Sequence, residues 1–220
     1  ILYIRLDMKK KSNKQLAKEI LNREIAALKR TTKLLDSKFE SACDAIISNK
    51  GKVITLGIGK SSFIAMKMAA TLSSTGTAAL FLHPVDALHG DVGVIKKNDI
   101  VIIYSNSGET QEVIKLLPLL KLLKCYIISI TGNLSSSLAQ YSNISLDASV
   151  TREACPHNLA PTSSIICALA LSDALALAIS LQNNFSIKDF AKTHPGGAIG
   201  KRLMVTAVSY THLTLPTTYH

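Results

Sequence analysis

The chain has 220 residues, 47% of them hydrophobic, with a formal net charge of +10. That is enough chain for one sizeable domain with a core of its own. The composition excludes a disulfide scaffold, since the four cysteines form no CxxC pair and no regular spacing. It excludes an obvious membrane span as well, because the most apolar stretch, Ile165 to Leu181, is shorter than the roughly 20 residues a span needs and carries Ser172 and Asp173.

Ile1 to Asp7 is apolar but short, and a lysine run follows it rather than precedes it, unlike a signal peptide. From Lys9 to Asn49 apolar residues recur on one helical face: Leu16, Ile20, Ile25, Leu28, Leu34, Leu35, Phe39 and Ile46. The spacing predicts helix, with a break near Arg30-Thr31-Thr32. Most of the charge sits here, residues 1–60 holding 14 Lys and Arg against 6 Asp and Glu. Those cations alternate with acids and apolar residues, the pattern of a solvated helix face rather than of a nucleic-acid surface.

Strands and helices then alternate. Val53–Leu56 reads as a strand that ends in Gly57-Ile58-Gly59-Lys60-Ser61-Ser62, with a helix over Phe63–Leu72. The glycine turn is neither of two familiar loops. Ile54 stands where a Walker A loop needs its first glycine, and Ser62 where a dinucleotide fingerprint needs its third. It leaves Lys60 and Ser61 at a helix N-terminus, where a cation and a hydroxyl suit a phosphate or a polarised carbonyl. Thr77–Leu82 is the second strand, followed by His83-Pro-Val-Asp-Ala-Leu-His-Gly-Asp91, and Ile100–Tyr104 is the third. The two His and two Asp of the first of these loops, with Cys155, His157 and His194, match no standard zinc spacing, so no metal is expected.

The third strand runs into Ser105-Asn106-Ser107-Gly108-Glu109-Thr110 and then a helical pattern, Glu112–Leu123, with Pro118 as a kink. Hydroxyls, one glycine and a helix N-terminus converge there, a natural place for an anion and above all a phosphate. Cys125–Ile130 is the fourth strand, Ser135–Gln140 a short helix and Ile144–Leu146 a fifth strand. A polar loop, Thr151–Pro161, leads to a long apolar helix from Ser163 to Leu181 that Thr162 to Ser164 would cap. A last helix, Ile187–Lys192, delivers His194-Pro-Gly-Gly197. This alternation predicts a mostly parallel sheet covered by helices on both faces, with ligands at the carboxyl ends of the strands. The loops after all five strands lie at that edge. Cysteines in apolar runs, such as Cys125 and Cys167, fit a reducing cytoplasm.

Taken together these segments resemble the sugar isomerase (SIS) domain, and within it the D-arabinose 5-phosphate isomerases. The resemblance rests on Gly57-Ile-Gly-Lys-Ser61, His83 to Asp91, Ser105 to Thr110, Glu153-Ala-Cys-Pro156 with Leu159-Ala-Pro-Thr162, and Thr193-His-Pro-Gly-Gly197. It implies a three-layer αβα sandwich with a five-stranded mostly parallel sheet, flavodoxin-like, spanning residues 8–205. It also implies reversible conversion of D-ribulose 5-phosphate to D-arabinose 5-phosphate, the start of Kdo synthesis for lipopolysaccharide, in a cytoplasmic homotetramer without a metal or other cofactor and without nucleic-acid or membrane partners. Asp86 stands where the family usually has Glu. Many members carry paired CBS domains after a segment like Gly200-Lys-Arg-Leu203, whereas residues 1–7 and 208–220 match nothing in the family.

By the same resemblance the catalytic set is Lys60, Glu112, Glu153 and His194. Gly59, Ser61, His89, Ser105, Ser107, Thr110 and Thr162 are the substrate-binding residues. An aldose–ketose isomerisation moves one proton between C1 and C2 through a cis-enediol, which needs a base, charge stabilisation at the oxygens and a fixed phosphate handle. Glu153 is the first choice for the base, with Glu112 and His194 as alternatives. Lys60 would stabilise the enediolate. His194, with His89, would serve the oxygens or open the sugar ring, His194 entering the site of a neighbouring subunit.

Overall fold

The computed structural model describes residues 11–197. The expectations for residues 1–7, 200–203 and 208–220 lie outside them. In chain order the elements are α1 (Asn13–Leu34), α2 (Ser37–Ser48), β1 (Val53–Gly57), α3 (Lys60–Ser74), β2 (Ala79–Leu82), α4 (Pro84–Leu88), a 3₁₀ turn (Asp91–Val94), β3 (Ile100–Tyr104), α5 (Gln111–Leu122), β4 (Tyr126–Thr131), α6 (Ser137–Tyr141), β5 (Ile144–Asp147), α7 (Ser163–Gln182) and α8 (Ile187–Thr193).

The sheet order is β2-β1-β3-β4-β5, and all four pairings are parallel. Register puts Thr55 beside Ile102, Ile102 beside Ile128 and Ile128 beside Ile144. Successive strand residues face opposite sides, so the sheet divides the core in two. Val53, Ile100, Ile102, Tyr104, Ile128 and Ile130 pack on one side against α2, α3 and α7. Ile54, Leu56, Val101, Ile103 and Ile127 pack on the other, chiefly against α5. The central strands β1 and β3 are buried along their whole length, so their sequences run apolar rather than alternating, and the one polar side chain of β1, Thr55, gives its hydroxyl to the Ala65 carbonyl at 2.7 Å. The strand order reverses direction between β1 and β3, and the crevice at such a switch point is where open α/β sheets bind ligands.

Three local expectations are corrected. The N-terminal helix does not break at Arg30-Thr31-Thr32: the hydroxyls of Thr31 and Thr32 bond back to the carbonyls of Ala27 and Leu28, and the helix continues. The break comes at Leu35-Asp36, where Asp36 accepts the Lys38 amide at 2.9 Å and starts α2. Pro118 does not interrupt α5; it lies on the exposed side, where water can serve the carbonyl it leaves free. Pro84–Leu88 and the 3₁₀ turn add two elements to a stretch that reads as a loop in sequence. Cys43, Cys125 and Cys167 are buried free thiols.

The apolar helix α7 is long and apolar enough to cross a membrane by length and composition. Its inward residues, including Cys167, Leu171, Leu175 and Ile179, are buried in the core. Two cations of α1 reach past it: Arg23 donates to the Ala154 carbonyl at 3.2 Å, and Arg30 to the Ser149 carbonyl at 2.6 Å. Part of the basic excess thus holds the segment that follows β5.

Candidate active site

β1 delivers the chain to the sheet edge through Gly57 and Gly59. A Cβ on Gly57 would stand 2.7 Å from the Ser61 carbonyl oxygen, so only glycine lets α3 turn back so tightly. Gly59 has φ +59° and precedes Lys60, the first residue of α3, with no side chain capping the helix. Tyr104 closes β3; its hydroxyl is 2.8 Å from Ser172 Oγ, which ties the strand end to α7. Burial pushes the Tyr104 phenol far up, so it stays neutral.

The hydroxyl turn follows. Ser105 Oγ accepts the Gly108 amide at 3.1 Å and lies 2.9 Å from Thr110 Oγ1, while Ser107 Oγ accepts the Glu109 amide at 3.2 Å. Gly108 sits at φ +68° against Ser136, whose Oγ a Cβ there would approach to 2.0 Å. Neighbouring backbone fixes the turn from outside: the amide of Leu138 donates to the Gly108 carbonyl at 3.1 Å and that of Gly132 to the Asn106 carbonyl at 3.0 Å. The Ser137 amide donates to Glu109 Oε1 at 2.7 Å. Thr110 is the N-cap of α5, but its hydroxyl makes no bond to the helix. Positive helix ends, free amides and hydroxyls therefore face one space.

That space is a cleft of about 330 Å³, lined among others by Lys60, Ser61, Ser105, Ser107, Thr110 and Pro161. Asn106, Tyr104 and Ile165 also line it. Asn106 lies inside the motif already singled out in sequence, and the other two look like core residues there. A smaller chamber of about 20 Å³ adjoins the cleft, and the two share Ser61, Tyr104, Ser105, Asn106 and Ile165.

Glu153 stands behind this wall, only 8% exposed. Its Oε2 accepts the amide of Thr162 at 2.8 Å, the hydroxyl of Thr162 at 3.1 Å and the amide of Ser164 at 3.2 Å. Its Oε1 accepts the hydroxyl of Ser164. Burial raises the affinity of this carboxyl for a proton, but the bonds from Ser164 and Thr162 outweigh burial and hold it below the usual carboxylate range. Thr162 occupies the N-cap position of α7 without a side-chain bond to the helix; the carboxylate of Glu153 takes the free amides instead. Thr162 Oγ1 also accepts the Ala154 amide at 2.9 Å, so it belongs to this inner network.

The structure thus gathers Gly59, Lys60, Ser61, Ser105, Ser107 and Thr110 at one edge, with Thr162 and Glu153 directly behind. Glu112 lies in the first turn of α5, half-buried, and does not line the cleft. His89 is exposed at the end of α4. His194 ends α8, stacked on Phe190 with ring centroids 3.8 Å apart. Its neighbour Thr193 donates to the carbonyl of Ser74, the last residue of α3, at 3.0 Å. α3 starts at the cleft, so His194 lies near the opposite end of that helix. Among the described residues no three of His, Cys, Asp and Glu come together as a metal site.

Comparison with known proteins identifies this arrangement. The model of the SIS domain matches residues 46–178. The chain is 50% identical over 175 residues to the arabinose 5-phosphate isomerase KdsD of Pseudomonas aeruginosa, covering 80% of this chain and 54% of that one. It is 50% identical over 192 residues to KdsD of Francisella tularensis, covering 86% and 59%. The chain therefore spans little more than half the length of these curated relatives. The structure of Escherichia coli CFT073 c3406 in complex with arabinose 5-phosphate superposes with a TM-score of 0.81 at 40% identity, covering 84% of this chain and all of that one. A five-stranded parallel sheet, the glycine and hydroxyl turns at its switch point, and a family model that covers more than half of the chain lead to one assignment: the chain belongs to the SIS-domain family.

Proposed function

We propose that the chain is an aldose–ketose isomerase that interconverts D-ribulose 5-phosphate and D-arabinose 5-phosphate through a cis-enediol. The observation that carries this reading is the cleft at the β1/β3 switch point, where Lys60 and Ser61 face Ser105, Ser107 and Thr110. The phosphate is held by the hydroxyls and by the free amides of α5, which leaves the C1–C2 end of a five-carbon sugar to reach toward Lys60 and Pro161. Lys60 stabilises the negative charge that develops on the enediolate oxygens. Glu153 is the base for the carbon proton, and its depressed proton affinity keeps it ionised throughout the neutral range. Glu112 does not line the cleft, so the first turn of α5 serves through its amides rather than through this carboxylate.

His194 enters the cleft of a neighbouring subunit, a role its remote place in its own chain supports. Assembly into a homotetramer is supported by apolar side chains exposed on α3 and α7: Phe63 is 67% exposed, Leu177 52% and Leu181 77%. The work is cytoplasmic, in keeping with free thiols at Cys43, Cys125, Cys155 and Cys167. The test is a coupled assay of ribulose 5-phosphate turnover with the purified chain. Turnover is expected. Tight binding of the sugar phosphate without turnover would instead support a non-catalytic sugar-phosphate sensor.

A further inference from the structure

The carboxylate assigned as base does not touch the space where the sugar is held. Glu153 lines neither the cleft nor the chamber beside it, whereas Ser164 lines the chamber and donates its hydroxyl to Glu153 Oε1. The chamber, about 20 Å³, has room for a single water molecule, which requires roughly 10–15 Å³. Its wall is largely apolar, from Ile64, Ile130, Ala148 and Ala168, with Ser61, Ser105, Thr131 and Ser164 as its hydroxyl-bearing members. The hydroxyls of Ser105 and Thr131 are engaged by their neighbours, which leaves Ser61 and Ser164 as the two polar partners such a water needs at the least. Because Ser61 and Ser105 also border the cleft, this water would lie between the sugar and Ser164.

Resting on the isomerase reading above, we infer that Ser164 is a proton-relay residue through which the buried Glu153 acts on the substrate. In the forward step the C–H bond next to the carbonyl breaks and its proton passes to the chamber water. That water passes a proton to Ser164 Oγ, and Ser164 passes its own to Glu153 Oε1. The carbon's electron pair forms the C=C bond of the enediolate, and the carbonyl pair moves onto the oxygen beside Lys60. Water and serine end unchanged, and the carboxylate ends as the acid. Between the two carbon steps the C1 hydroxyl proton shifts to the C2 oxygen, the C1–oxygen pair closes to the new carbonyl, and the C=C pair takes the proton back from Glu153 through Ser164 and the water at C2, so atoms and charge balance. The geometry also explains why Glu153 is clamped from the other side. Three bonds to Oε2 fix it while Oε1 is left to the serine.

The experiment compares wild-type protein, Ser164→Ala, Ser164→Thr, Glu153→Gln and the S164A/E153Q double variant for kcat, KM and Tm with arabinose 5-phosphate. Ser164→Ala removes the relay hydroxyl but keeps the three bonds to Oε2, so the fold should persist. The expected result is a kcat lower by about 10–100-fold, with KM within about twofold. The double variant should be no slower than the slower single variant, since both residues serve one path. Ser164→Thr, which keeps a hydroxyl, should recover most of the rate, and it answers the question if the alanine variant fails to fold. Wild-type kcat in Ser164→Ala would overturn the relay, as would losses that multiply in the double variant. Wild-type protein inert toward arabinose 5-phosphate would remove the isomerase reading itself, and the relay with it.

Discussion

Ser105 and Ser107 contribute differently to the proposed phosphate site. Ser105 is buried, with its hydroxyl already engaged by Gly108 and Thr110, whereas Ser107 is exposed at the tip of the turn. Replacing both by alanine removes two donors to a dianion, each worth about 1.5–3 kcal/mol as a charge-assisted bond. KM for the sugar phosphate should rise by roughly a hundredfold or more, at tenfold per 1.4 kcal/mol. A steady-state titration that found KM unmoved would take the phosphate away from this turn. Glu153→Gln tests the chemistry instead. Its kcat should fall by roughly 10²–10⁴-fold, the range of a positioned general base. Because the Glu153 carboxyl is held below the usual carboxylate range, the acid limb of the wild-type rate profile assigned to it should lie below the pH at which a free Glu titrates, about 4.3. A limb at or above that pH would assign the titration to another group.

At the level of elements, the sequence pattern places all five strands, because short apolar runs set between polar turns and helical stretches have few alternatives in an alternating chain. β3 runs from Ile100 to Tyr104, as its residues predict. Helix ends were less legible. The helix runs through Arg30-Thr31-Thr32 because low propensity is a weak local term that tertiary contacts override, here Arg30 bonded to Ser149 and Thr31 buried. The capping of α7 by Glu153 was invisible for a different reason: the pair is nine residues apart and meets only through the fold of the loop. The turn at Ser105 to Thr110 was readable because its chemistry is local. The contact that holds Thr193, beside His194, to the end of α3 was not, since it depends on where α8 docks.

The start of β3 carries a stability prediction. Asp99 is buried; it accepts the amides of Lys52 at 3.0 Å and Lys96 at 2.8 Å and pairs with Lys52 Nζ at 2.7 Å. Burial raises its proton affinity, but these bonds prevail and hold its carboxyl below the ordinary value. A depressed carboxyl stabilises the fold fully above the unfolded-state pKa, about 3.9 for Asp, and loses that contribution as pH falls through the lower folded value. Asp99→Ala should cost about 1–3 kcal/mol at neutral pH, since two part-buried amides and the Lys52 ammonium lose their acceptor. In urea unfolding the gap from wild type should narrow toward acid pH. A gap that stayed constant with pH would mean that packing, not the carboxylate, accounts for the loss.

For the whole molecule, the proposal that His194 serves a neighbour's cleft makes activity a property of the assembly. Lys60→Ala and His194→Ala subunits should each be inactive alone. Mixed and reassembled, they should recover part of the wild-type activity, because some clefts then combine an intact Lys60 with an intact His194 from a neighbour. Mixtures no more active than their components would confine each active site to one chain. The two helix ends at the cleft have a further consequence, in time rather than in energy. Among the described residues the amides of Gln111, Glu112 and Val113 open α5 without an acceptor, whereas the Ser164 amide of α7 is already held by Glu153. In deuterated buffer the first three should exchange within seconds in the free protein and slow when inorganic phosphate is added. Ser164 should keep one rate throughout, an internal clock against which ligand protection of α5 is read residue by residue.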